Sequence, residues 1–236
     1  MIEQEIEYKI NNDIFKGFVC FDETIKQPQP AVLISHDWVG RNEFDEDKAR
    51  KLARLGYVAF ALDMYGNGQN GSTVEEKYAL MGPLVENRNM LKERIVGAFN
   101  ALASLKQVDD SKIMAMGYCF GGLCVLDLAR SGINVKGVVS FHGLLKAPEV
   151  KQCQRITSKI LVLHGYDDPL VTPDFINELA LEMSQEKVDW QLHAYGNTKH
   201  SFTNPDANDL ASGLVYNNIA ERRSWQATLN FFDEIV

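Results

Sequence analysis

No apolar run in this chain is long enough to span a membrane. Its opening, MIEQEIEYKI, puts acidic residues where a secretory leader has a basic stretch and then an apolar one. Together these absences lead to the expectation of a cytoplasmic protein. Lys and Arg nowhere cluster, and the net charge is −8, so a nucleic-acid partner is not expected. Cysteine is scarce too. The four present, Cys20, Cys119, Cys124 and Cys153, lack paired C-x-x-C spacing, and a chain of 236 residues has no need of a disulfide framework. Neither they nor the five histidines stand at zinc-ligand spacing, so no metal is expected. Repeats, low-complexity tracts and linkers are also missing. That leaves one domain over residues 1–236, with room for a substantial core.

What is present is an alternation of strand and helix patterns. Residues 3–9 and 14–21 read as two strands joined by a turn at Asn11-Asn12-Asp13. PAVLISH, over 30–36, predicts a buried strand. A helix is predicted over 44–56, with Phe44, Leu52 and Leu55 as its apolar face and Gly56 as its stop. After a strand over 57–63 comes a glycine-rich loop, then a helical region over 74–106. Pro83 lacks the N–H that a helix interior needs and is expected to break that region. Further strands are predicted over 111–117, 135–143, 158–165 and 189–196. Helices are predicted over 120–130 and over 172–185, where Pro173 suits the first turn. In the tail, Ile219, Trp225, Leu229 and Phe232 recur at helical spacing as a core-facing stripe. The whole predicts an α/β fold whose mostly parallel sheet is covered by helices on both faces. In such a sheet chemistry collects beyond the carboxyl ends of the strands.

One hexapeptide there stands out. GYCFGG, Gly117–Gly122, lies between a strand pattern and a helix pattern, and it is the nucleophile-elbow sequence G-x-S-x-G with sulfur in place of oxygen. Glycines suit a turn so tight that a Cβ would clash. At its apex Cys119 would stand at the amino end of a helix, where the dipole favours thiolate. A thiol nucleophile needs a base, and the base needs an orienting carboxylate. Asp168, just before Pro169, and His200, in the loop after the last strand, complete the order Cys-Asp-His of this fold class. The neighbouring Asp167 is read as a solvated loop acid. His142, His164 and His193 are read as strand or strand-end residues making structural hydrogen bonds. The oxyanion donors are expected at the backbone N–H of Phe120 and of Trp38 in HDWVG.

At these residues the chain resembles the dienelactone hydrolase family of α/β-hydrolases, from about Phe15 to the C-terminal helix. The marks are SHDWVGRN (Ser35–Asn42), DMYG (Asp63–Gly66), GYCFGG, HGYDDPLV (His164–Val171) and KHSF (Lys199–Phe202). The resemblance implies a Cys-His-Asp triad that opens small-molecule esters or lactones through an acyl-enzyme, without metal or cofactor. It also implies an acid that takes the thiol proton at rest. Asp37 matches that position, although better-known members carry glutamate. Those members hold the substrate carboxylate with arginines, one of them four residues after the histidine. Here that position is Asn204, and Arg88 and Lys77 are the candidates for a second cation. Two alternatives accompany this reading: a thioesterase, and a non-catalytic binding module on the same fold. Cys124 lies more than one helical turn from Cys119, so a resolving disulfide is not expected.

Overall fold

The computed structural model of the protein describes residues 1–151 and 155–236, so the reading of Cys153 falls outside the described residues. In chain order the elements are β1 (Ile2–Ile10), β2 (Asp13–Phe21), β3 (Gln29–Ser35), α1 (Glu43–Ala53) and β4 (Val58–Ala61). Then come α2 (Val74–Glu86), α3 (Arg88–Ala103), β5 (Val108–Tyr118), α4 (Phe120–Arg130), β6 (Gly137–Phe141) and β7 (Lys159–Gly165). The chain closes with α5 (Pro173–Gln185), β8 (Trp190–Tyr195), a two-residue pair β9 (Asn208–Asp209) and β10 (Leu214–Val215), and α6 (Asn218–Ile235).

Eight strands form one sheet in the order β1-β2-β4-β3-β5-β6-β7-β8. The β1–β2 and β2–β4 pairs are antiparallel, and every later pair is parallel. Alternation along the strands sends side chains to two separate cores. From β3, Ala31 and Leu33 join Leu91, Ile95, Leu123 and Leu179, from α3, α4 and α5. Val32 and Ile34 face the other way, toward Leu52 of α1 and Phe231 and Phe232 of α6. The inner strands are therefore apolar on both faces, and the functional loops gather at their carboxyl ends.

Local expectations fail in four places. Pro83 sits inside α2 without breaking it, and its carbonyl still accepts the Asn87 N–H at 3.0 Å. The break comes at Asn87, whose side chain accepts the Met90 N–H at 3.1 Å and starts α3. Leu55 lies past the end of α1 and points to solvent, as does Ile219 in the first turn of α6. The β9–β10 pair was not anticipated. Two-residue strands carry too few side chains to produce a periodic signal.

Candidate active site

The hexapeptide forms the turn its glycines suggest. Cys119 holds φ +53° and ψ −114°, left-handed backbone that a side chain rarely adopts, directly before α4. Its N–H donates to the Phe141 carbonyl at 3.0 Å, and its carbonyl accepts from Gly122 N–H at 3.0 Å. A Cβ on Gly117 would run into the Gly121 carbonyl, and one on Gly121 into the Ser35 carbonyl. The chain thus wedges the end of β5, the start of α4 and the end of β3 together, and side chains are excluded from the contact. Cys119 remains partly exposed, while Cys20 and Cys124 are buried free thiols.

Asp168 follows β7 and His200 follows β8, and the fold brings them together across 32 residues. His200 Nδ1 lies 2.6 Å from Asp168 Oδ2 with both side chains fully buried. The other ring nitrogen, Nε2, has no oxygen or nitrogen partner among the described residues. Since Asp168 occupies Nδ1, Nε2 is the atom left to meet the Cys119 sulfur. Burial pulls the ring toward its neutral form. The charge that Cys119 would carry if ionised and the Asp168 hydrogen bond outweigh it, and the imidazole pKa is pushed up to about 10. Asp167 points away from the pair, accepting the Thr198 N–H at 3.1 Å.

The loop after β3 is braced from within. Met64 N–H donates to His36 Nε2 at 3.1 Å, so the His36 proton sits on Nδ1 and donates to the Asp37 carbonyl at 2.6 Å. Tyr65 OH donates to the Trp38 carbonyl at 2.9 Å. Among the described residues, neither the Trp38 nor the Phe120 N–H finds an acceptor, and Phe120 is the first residue of α4. Asp37 accepts the Val39 N–H at 2.8 Å. Burial pushes the Asp37 carboxyl up, against that hydrogen bond and the charges of His36, Lys77 and His200. Among the described residues no group of three or more His, Cys, Asp or Glu side chains is placed to hold a metal ion.

The sequence profile of the dienelactone hydrolase family matches residues 15–236. The chain belongs to the dienelactone hydrolase family. Its fold is the α/β-hydrolase fold, and it is a hydrolase of ester or lactone bonds. Among solved structures it is similar to a dienelactone hydrolase-like promiscuous phosphotriesterase, P91, from metagenomic libraries. That likeness has 36% identity and a TM-score of 0.94 over 99% of this chain and 98% of the other. A provisionally named carboxymethylenebutenolidase of Saccharolobus solfataricus is 26% identical over 99% of both chains. A propionate-bound esterase of Thermogutta terrifontis, 17% identical with a TM-score of 0.69 over 99% of this chain and 94% of that one, shares the fold.

In this dienelactone hydrolase family member, Arg88 is engaged elsewhere. Its guanidinium grips the buried Asp127 carboxylate through two bonds of 2.5 and 2.6 Å, and it donates to the Lys146 carbonyl at 3.0 Å. Arg130 extends the ladder to Glu182 and to the Leu145 carbonyl. The arrangement ties α3, α4 and α5 to the loop after β6. Asn204 has a local partner, its Oδ1 accepting the Asp206 N–H at 2.9 Å. Lys77 does act on the site, its Nζ lying 5.2 Å from the Trp38 ring centre and its charge reaching Asp37. A cavity of about 740 Å³ is walled by the apolar Val85, Leu123 and Phe175 and by the charged Glu86, Arg88 and Lys146, and Cys119, Asp168 and His200 do not line it.

Sequence reasoning missed two supports of the histidine loop. Val215 N–H donates to the His200 carbonyl at 2.9 Å, so β10 fastens that loop from behind. His142 packs beside the His200 ring, with centroids 5.0 Å apart. The repeated strand-end His-Gly in SFHG and VLHG was the available signal. Only the structure separates the two copies, because the contact spans 58 residues of chain.

Proposed function

We propose that the protein hydrolyses carboxylic esters or lactones of low charge through an acyl-enzyme on Cys119. The observation that carries this reading is the buried His200 ring, held on Nδ1 by Asp168 at 2.6 Å while Nε2 is left without a hydrogen-bond partner among the described residues. In the ion pair, Cys119 is the nucleophile and His200 already holds the proton that the leaving group needs.

The thiolate attacks the carbonyl carbon and a C–S bond forms, while the carbonyl π electrons move to oxygen. The free N–H groups of Trp38 and Phe120 receive that oxyanion, and the positive end of α4 adds to the stabilisation. Collapse breaks the C–O bond, and the alkoxide leaves with the His200 proton. Neutral His200 then takes a proton from water, whose oxygen attacks the thioester. A second collapse expels the thiolate and releases the acid. Asp168 keeps the ring in one tautomer and orientation throughout. Asp37, whose carboxyl burial has raised, is the alternative acceptor of the thiol proton when His200 is neutral.

The preference for low charge rests on Asn204 and Arg88. One is a neutral amide occupied by its own turn, and the other is bound to Asp127.

The test is a panel of esters and lactones given to wild type and Cys119→Ala. Nearly all turnover should vanish in the variant with its fold intact. Full activity there would end the nucleophile assignment.

A further inference from the structure

We infer that His142 is a positioning residue for His200, holding the ring face that Asp168 leaves unsecured. The inference rests on the reading of His200 as the base.

A single hydrogen bond fixes only one point of an imidazole. With Nδ1 on Asp168, the His200 ring is free to swing about that contact and carry Nε2 away from sulfur. His142 blocks the swing. It follows β6 directly, is buried, and meets the His200 ring edge-to-face, with centroids 5.0 Å apart and planes at 61°. Its Nε2 shares a hydrogen bond of 2.8 Å with Thr203 Oγ1, three residues beyond His200. His142 therefore touches the ring itself and also anchors the turn that carries it. Phe202 packs on His142 at 5.1 Å and Tyr118 at 6.1 Å, so the strut is itself braced.

The backbone at His142 supports a specific requirement for this placement. Its φ is +38°, while its N–H donates to the Leu163 carbonyl at 2.8 Å. A non-glycine residue kept in left-handed backbone is strained, and such strain persists where the surroundings over-determine it. The glycine that would relieve it stands one position later, at Gly143. A Cβ there would crowd Ser140 and Gly122, so the side chain and the glycine cannot exchange places.

An imidazole also suits the electrostatics when it is neutral. A second cation here would repel the imidazolium of His200. Burial comes first among the influences that hold His142 far toward its neutral form, followed by the charges of His200, His164 and Lys48. Tyr118 is a further titratable group against the ring.

The variants to make are His142→Phe, which keeps a ring of similar size, and Thr203→Val, which keeps the volume but not the hydroxyl. Thr203→Ser is the conservative rescue. Two quantities are read: kcat and KM for p-nitrophenyl acetate, and the proton resonance of the His200 Nδ1–H. In His142→Phe, kcat should fall about tenfold to a hundredfold, as misplacement of a catalytic group by about 1 Å does, with KM little changed. The Nδ1–H resonance should broaden as the ring loosens and exchanges with water. Thr203→Val should show a smaller effect in the same direction, and Thr203→Ser should restore both readings. A folded His142→Phe with wild-type kcat and a sharp resonance would overturn the inference. Should His142→Phe fail to fold, unchanged readings in Thr203→Val would do the same. The resonance does not depend on turnover. Full activity in Cys119→Ala would remove the proposed function, while the His200 signal would still report on His142.

Discussion

His200 Nδ1 and Asp168 Oδ2 sit 2.6 Å apart with no solvent on either side chain, while Asp167, one residue earlier, is exposed. Two adjacent acids of identical chemistry therefore have different work. Asp168→Asn keeps the shape but offers the ring an amide in place of an acceptor-only carboxylate. It should lower kcat by about a thousandfold or more, as loss of the correct tautomer does. Asp167→Asn should leave kcat near the wild-type value. A larger loss in Asp167→Asn would reverse the assignment.

The second prediction concerns pH. The folded-state pKa of His200, about 10, lies above the ordinary histidine value of about 6.5. Protonation therefore favours the folded state. That contribution is fully present below about pH 6.5 and is lost as pH rises through about 10. Among the influences that raise the pKa, the Cys119 charge is the largest. Cys119→Ser should accordingly bring the imidazole titration down, followed by NMR of the ring protons. A titration left near 10 would show that Asp168 alone holds the proton.

The third prediction concerns the thiol at rest. Asp37 keeps negative charge close to His200, and Asp37→Asn removes that charge while retaining an acceptor for the Val39 N–H. Loss of a negative neighbour favours thiolate. Alkylation by iodoacetamide should quicken at neutral pH, and its midpoint should move to lower pH. If the profile does not move, Asp37 is a bystander.

The fourth prediction tests substrate charge. Wild type should turn over p-nitrophenyl acetate at least as well as the carboxylate-bearing cis-dienelactone, compared as kcat/KM. Asn204→Arg should improve the anionic substrate selectively, since an arginine–carboxylate pair exceeds a neutral amide bond. A wild-type preference for dienelactone of about tenfold, or 1.4 kcal/mol, would point to another cation. Lys77→Ala would then show whether the lysine over Trp38 supplies it.

The elbow was legible in sequence because its constraint is local. Gly117 is demanded by the Gly121 carbonyl four residues on, and the strand and helix around the turn follow from their own patterns, whereas Gly121 answers to the distant Ser35 carbonyl. The order Cys-Asp-His was legible because chain order is part of the fold class. What could not be read depends on distant partners. Arg88 looked available until the fold set Asp127 against it, and His142 looked like a strand end until β8 carried His200 alongside. Pro83 misled for a smaller reason: the N–H it lacks costs a helix one bond without having to end it.

The left-handed backbone at Cys119 has a consequence for any attempt to improve the protein. Strain of this kind opposes folding by about 1–3 kcal/mol, and glycine would relieve it, less about 0.5–1 kcal/mol for glycine's greater freedom in the unfolded chain. Cys119→Ala retains the strain and Cys119→Gly removes it, so the glycine variant should melt at or above the alanine variant although the proposed mechanism leaves neither with turnover. A library screened for heat resistance alone would thus collect dead proteins at this one position. Selection on this scaffold has to score turnover in the same round as melting temperature.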